Sequence, residues 1–256
     1  MKMQDLFELP ERTQKPRQHG ITMIIDSGLG FHAVEDGLSV AKPYLDYVKL
    51  GWGTAIITPD IGKKVAIYKS HGVPVCLGGT FFELAYLKGK IKEYRAVAVE
   101  LGLDMIEISD GTVNMLEADK LRLISEFAKD FRVLSEYGSK DAEVVVAPSR
   151  WVDGMRRELE AGAWKSIAEG RESGTAGLYR ATEELRTGLV DEIVMNIPQE
   201  MLIWEAPKKH QQVWFIKKYG SNVNLGNIAL SDIIALETLR LGLRGDTLMT
   251  MHGDKK

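Results

Sequence analysis

Eight short strand-like runs recur along the chain, beginning near Ile21, Tyr47, Val73, Met105, Arg132, Lys165, Met201 and Asn222, 21 to 36 residues from one start to the next. That interval accommodates one strand and one helix. Several runs are almost continuously apolar, as a parallel sheet covered by helices requires. The segments between them carry helical signals. Thr58-Pro59 fits an N-cap followed by proline at N1, and Phe81–Leu101 reads as one long amphipathic helix with Gly102 at its C-terminus. Leu121, Ile124, Phe127 and Ala128 recur at helical spacing, as do Val152, Met155 and Leu159. Pro207 opens a helical segment, and Ser231-Asp232 caps a last one. Eight βα units in order predict a single-domain (β/α)₈ TIM barrel, because a strand–helix–strand unit closes as a right-handed parallel crossover. A doubly wound open sheet is the alternative. Ala142–Ala147 (AEVVVA) falls inside the fifth unit and reads as an extended piece of its loop. Residues 1–20 are expected to form an N-terminal arm, 21–247 the barrel and 248–256 a flexible tail.

Bulk properties narrow the function classes. The chain has 256 residues, 27% of them charged, and a net charge of −3, so no broad polyanion-binding surface is implied and nucleic-acid binding is disfavoured. No apolar stretch approaches the roughly 18–20 residues needed to span a bilayer. The first residues lack the pattern of a secretory signal, which predicts a cytoplasmic protein. Cys76, the single cysteine, lies in an apolar run with no activating base nearby and reads as an inert core thiol.

Charged residues at the ends of these apolar runs point to chemistry. Asp26, Lys49, Glu107, Glu136, Glu169 and Glu205 occupy such positions. Desolvating a lone charge is expensive, so their repetition at one end of successive strands predicts convergence on a polar pocket. In a barrel, catalytic groups sit at the carboxyl ends of the strands and in the loops that follow. Asp26, Lys49 and Lys140 are the catalytic candidates. Converging carboxylates repel one another unless neutralised. A divalent cation does this directly, and carboxylate oxygens favour Mg²⁺. Pairing with Lys49, Lys140 and Arg171 is the alternative. Lys140 lies four residues beyond Glu136 and is positioned either as a general acid or as a solvated loop charge. Two glycine-flanked loops, Gly170–Gly174 and Gly226–Ser231, place Arg171, Ser173, Gly174, Gly226 and Asn227 where backbone N–H groups meet an anion. The histidines and tryptophans are scattered and suggest no catalytic arrangement.

Eight blocks along the chain also resemble a known family. They are KLGWGT (49–54), GGTFFE (78–83), EISDG (107–111), EYGSK (136–140), EGRESG (169–174), EAPKKHQQ (205–212), NVNLGNI (222–228) and LETLRLGLRGDT (236–247). In this order they resemble phosphosulfolactate synthases. The resemblance implies a (β/α)₈ barrel that uses Mg²⁺ to add sulfite to phosphoenolpyruvate, giving (2R)-3-phosphosulfolactate for coenzyme M or for sulfolactate. It also implies a homo-oligomer, with a trimer the expected state. Through the Glu-x-Gly-x-Lys match, the family's acid lysine corresponds to Lys140. Lys49 and Arg171 are then candidates for holding the substrate's anionic groups. Glu136, Glu169 and Glu205, with Glu107 as a fourth, are the inferred metal ligands, and Asp26 has no definite task. The same motifs resemble plant heat-stress-associated proteins, so an interaction protein on this scaffold is one rival reading. Another metal-assisted barrel enzyme acting on a phosphorylated enolate, such as an aldolase, is the second.

Overall fold

A computed structural model of the chain describes residues 6–140, 146–171 and 173–253. Eight strands form one parallel sheet: β1 (Thr22–Asp26), β2 (Tyr47–Leu50), β3 (Val75–Leu77), β4 (Met105–Ile108), β5 (Arg132–Tyr137), β6 (Lys165–Ala168), β7 (Leu202–Glu205) and β8 (Leu225–Ile228). Their order in the sheet is β3-β2-β1-β8-β7-β6-β5-β4, with every ladder parallel. The sheet curls into a nearly closed barrel, a (β/α)₈ fold as the repeat predicts. The ends of the sheet, β3 and β4, meet at a seam. Side chains bridge it: the Gly79 amide, just after β3, donates to Glu107 Oε1 on β4 at 2.6 Å.

The principal covering helices are α1 (Phe31–Ala41), α2 (Thr54–Ile57), α3 (Ile61–Ser70), α4 (Gly79–Leu87), α5 (Ile91–Glu100), α6 (Glu117–Phe127), α7 (Pro148–Glu160), α8 (Thr187–Asn196), α9 (Lys209–Tyr219), α10 (Ile233–Arg240) and α11 (Leu248–His252). Two boundaries differ from the sequence expectation. Thr58-Pro59 does not start a helix: Thr58 closes α2, and α3 begins at Ile61 with Asp60 as its N-cap. Phe81–Leu101 is two helices rather than one, because Gly89 adopts φ 64° and ends the run between α4 and α5. Gly102, also left-handed, follows α5 as expected, with the Leu103 amide returning to the Ala98 carbonyl. Leu248–His252 is helical where a loose tail was expected, and Met251 packs against the core. The extended segment expected at 142–147 lies outside the described residues except for Val146 and Ala147, and Ala147 is the N-cap of α7.

The arm is tied to the first and last units. Arg12 pairs with Glu237 at 2.8 Å, and Arg17 reaches Asp46 at 3.2 Å. Among the described residues, no helix is long and apolar enough to cross a membrane.

Two separate layers of apolar side chains follow from the pleat. One lies between sheet and helices. The other fills the barrel and comprises Ile21, Met23, Tyr47, Cys76, Met105, Leu134, Ile167 and Ile203. Alternate residues of a strand face the same side. The residues two positions beyond this inner layer are therefore Ile25, Lys49, Gly78, Glu107, Glu136, Glu169 and Glu205. All seven line one cavity at the carboxyl ends of the strands. Strand phase thus builds an apolar plug with a charged floor directly above it.

Candidate active site

The cavity above that floor has a volume of about 540 Å³, and Trp52, Thr80, Thr112, Lys140, Arg171 and Asn227 contribute to its wall. Lys49 stands at its centre. Its Nζ lies 2.9 Å from Glu205 Oε1, 3.1 Å from Glu107 Oε2 and 3.5 Å from Glu136 Oε2. Burial alone drives a lysine toward neutrality, but here three carboxylates outweigh it and hold the pKa well above the ordinary value, so Lys49 is an ammonium. Lys140 reaches in from the loop after β5. Its Nζ is 3.0 Å from Glu136 Oε1, 3.1 Å from Glu83 Oε1 and 3.0 Å from Ser109 Oγ. Burial is again outweighed, by Glu136, Glu169 and Glu83, and its pKa is raised.

The acids respond to this field unequally. Burial, only partly offset by Lys49, pushes Glu107 up to about 7. Burial and the charges of Glu136 and Glu205 raise Glu169 well above the usual range. Glu136 resists the same desolvation, because Lys140 and Lys49 flank it, and its pKa falls. The two neighbours thus shift in opposite directions, Glu136 toward the carboxylate and Glu169 toward the neutral acid. Further donors fix the carboxylates. The Gly170 and Arg171 amides donate to Glu205 Oε2 at 2.9 and 3.0 Å, and the Arg171 amide also reaches Glu169 Oε1 at 2.7 Å.

Glu136, Glu169 and Glu205 present ligand oxygens that all lie within 4.8 Å of one another. Glu169 Oε2 has no hydrogen-bond partner, although it is buried. Three hard oxygen donors with an unsatisfied buried carboxylate oxygen fit a divalent cation such as Mg²⁺. Glu107 does not join this trio. Its Oε1 accepts from Gly79 and its Oε2 faces Lys49, so it serves the seam and the lysine.

Asp26, a catalytic candidate from its place at a strand end, is not among the residues that line the cavity. Ile25 carries the inward phase of β1, so Asp26, one residue on, points out between barrel and helices. There it accepts from the Gly28 and Leu29 amides, both at 2.8 Å, from Tyr68 Oη at 3.0 Å and from Lys64 Nζ at 3.1 Å.

The expected anion-binding residues divide. Arg171 lines the cavity, with φ 59° and its guanidinium 3.3 Å from the Lys140 carbonyl. Asn227 also lines it. A register shift between β1 and β8 accompanies a left-handed Asn227 (φ 57°), which turns its side chain inward beside Gly226, and its buried Oδ1 lacks a partner. Gly226 itself packs against Met23 and Ile203 in the plug. Ser173 and Gly174 are absent from the wall: Ser173 bonds Thr175, and the Gly174 carbonyl accepts from Gln211. These contacts tie the loop after β6 to itself and to α9. Glu83, on α4, and Ser109, just after β4, both reach Lys140 Nζ, a convergence that no spacing in the sequence announces. Trp52, left-handed at φ 52° and 41% exposed, forms the rim.

Similarity to known proteins agrees with this architecture. The sequence pattern of the (2R)-phospho-3-sulfolactate synthase family matches residues 10–246. The chain is 44% identical over 244 residues to the phosphosulfolactate synthase of Bacillus subtilis (strain 168), covering 94% of this chain and 97% of that one. It is also 44% identical over 249 residues to that of Methanothermobacter thermautotrophicus, covering 94% and 96%. Protein HEAT-STRESS-ASSOCIATED 32 of Arabidopsis thaliana is 26% identical over 263 residues, covering 91% and 90%. Among solved structures, 3-hexulose-6-phosphate synthase from Salmonella typhimurium superposes with a TM-score of 0.58 at 12% identity, covering 88% of this chain and all of that one. The YdjI aldolase of Escherichia coli K12 gives 0.57 at 12% identity, covering 93% of each. Those two likenesses establish the barrel alone. With the family pattern matched over residues 10–246 and, across 94% of this chain, 44% identity to the Bacillus subtilis relative, the protein belongs to the (2R)-phospho-3-sulfolactate synthase family.

Proposed function

We propose that the chain is a phosphosulfolactate synthase, a carbon–sulfur lyase that adds sulfite to phosphoenolpyruvate and works with Mg²⁺. The observation that carries this reading is the union, in one cavity, of a carboxylate trio within 4.8 Å and a protonated lysine 3.0 Å from one of its members. The sulfite lone pair forms the C–S bond at C3 of phosphoenolpyruvate. The C2–C3 π electrons move toward the carboxylate as an enolate-like dianion. Lys140 then gives its proton to C2, which completes the addition, and recovers one from solvent. Lys49, an ammonium on the cavity floor, lies where it offsets negative charge, and Arg171 at the wall receives an anionic group. Glu136, Glu169 and Glu205 would hold the Mg²⁺, whose chemistry is to stabilise charge developing on the substrate carboxylate.

Incubation of the folded protein with phosphoenolpyruvate, sulfite and Mg²⁺ is expected to yield a new organic phosphate. Phosphorus NMR and mass spectrometry should identify it as phosphosulfolactate. Folded protein that leaves phosphoenolpyruvate unchanged in the presence of sulfite would sink the assignment.

A further inference from the structure

We propose that Glu83, acting with Ser109, is the positioning residue that holds the Lys140 ammonium in the cavity independently of the carboxylate trio. Glu83 comes from α4, not from a strand, and it does not line the cavity. Its side chain is buried, and a single oxygen, Oε1, collects three donors. These are Lys140 Nζ at 3.1 Å, Ser109 Oγ at 2.8 Å and the Thr112 amide at 3.1 Å. Ser109 Oγ lies 2.8 Å from Glu136 Oε1 as well and accepts from Lys140 at 3.0 Å. A serine hydroxyl has one proton, so it donates to one of the two carboxylates at a time while it continues to accept from the lysine.

This arrangement separates two tasks. Glu136 belongs both to the trio and to the shell of Lys140, so its charge is divided between them. Glu83 belongs only to the shell. With Glu136 committed elsewhere, Glu83 and Ser109 still offer Lys140 a charged acceptor and a neutral one. The Thr112 bond also locks the loop after β4 to α4, so neither anchor can drift from the other. Burying a carboxylate with one oxygen unpartnered is costly, and the positive charge of Lys140 is the interaction that offsets it. The inference rests on the reading of Lys140 as the proton donor.

Glu83→Gln preserves shape and removes the charge. In the full-length protein it is expected to lower kcat roughly 10- to 100-fold, a loss of the kind seen when a proton donor is misplaced. The KM for phosphoenolpyruvate and the affinity for Mn²⁺, read by electron paramagnetic resonance, should not change. Glu83→Gln combined with Lys140→Ala should be no slower than Lys140→Ala alone, because the positioned group is already gone. An equal penalty in both backgrounds, an unchanged kcat, or a parallel fall in Mn²⁺ affinity overturns the proposal. Should Glu83→Gln fail to fold, Ser109→Ala carries the same comparison. One readout does not need the reaction. Nitrogen-15 NMR of lysine ammonium groups should show a protected Lys140 signal, assigned by its loss in Lys140→Arg and shifted or lost in Glu83→Gln. A signal identical in parent and Glu83→Gln refutes the positioning role even if sulfite and phosphoenolpyruvate are not the substrates.

Discussion

Asp26 takes its donors from Gly28, Leu29, Lys64 and Tyr68, and every one of them lies outside the cavity. Lys64 is itself buried, at 1% exposure, so removing the Asp26 charge strands an ammonium between barrel and helices. Breaking such a buried pair costs on the order of 3–5 kcal/mol. Asp26→Asn is therefore expected to lower the urea midpoint strongly while turnover per folded molecule stays near that of the parent. Lys140→Ala is expected to behave in the opposite sense, with turnover reduced roughly 10²–10⁴-fold, the usual contribution of a positioned acid. Parallel turnover and urea denaturation measurements on both variants check the pair. A catalytic loss without a stability loss in Asp26→Asn would mean that its carboxylate meets substrate after all. The sequence did hold the distinction. Met23 and Ile25 alternate inward on β1, so Asp26 is out of phase, whereas Tyr47 and Lys49, Met105 and Glu107, Leu134 and Glu136, and Ile203 and Glu205 keep step. Position at a strand end was legible, but the phase within the strand decided the face.

The elements show why other parts of the site were harder to read. Continuous apolar runs marked most strands, because a parallel sheet buries both of its faces. The start of β8 was blurred by Asn222 and Asn224, and its bulge at Gly226-Asn227 breaks the very alternation on which a reading depends. Glu83 sits on a helix, and no spacing in the sequence announces that α4 delivers it to a lysine 57 residues away. Gly138 explains how Lys140 doubles back toward Glu136. It adopts φ 128°, and a Cβ there would lie 2.4 Å from the Trp151 ring and 2.8 Å from Glu169 Cβ. Gly138→Ala must therefore move Trp151, the backbone or Glu169. The expected cost exceeds about 1 kcal/mol of stability, since positive φ and steric conflict add, and turnover should fall with it because both Lys140 and Glu169 shift. Gly245 has no positive φ, and a methyl group at that position would meet nothing within 4 Å, so Gly245→Ala is the matched control. Thermal melts and turnover of the two variants should diverge clearly. Equal behaviour would show that the loop after β5 relaxes without consequence for the site.

On the scale of the whole molecule, the barrel is apolar in its interior and heavily charged at one end. Glu83, Glu107, Glu136, Glu169 and Glu205 are each nearly buried around Lys49 and Lys140, so the described cluster holds more carboxylates than lysines. Such an imbalance weakens the folded state through like-charge repulsion and desolvation. Anything that binds the folded cluster and not the unfolded chain returns that stability by mass action, about 2.7 kcal/mol at a ligand concentration one hundred times Kd. Mg²⁺ is accordingly expected to raise the thermal and urea midpoints of the protein. NaCl at matched ionic strength controls for general screening. Glu169→Gln is the informative variant, because Glu169 Oε2 has no hydrogen-bond partner, while Lys49 keeps Glu205 and Glu107 and Lys140 keeps Glu83 and Glu136. In the metal-free protein burial and the neighbouring charges favour the neutral acid at Glu169, which the amide mimics, whereas the amide deletes one anionic oxygen donor of the trio. Glu169→Gln should thus start about as stable as the parent and gain much less from Mg²⁺. A variant that gains as much from Mg²⁺ as the parent would exclude Glu136, Glu169 and Glu205 as the cation site, whatever reaction the barrel performs.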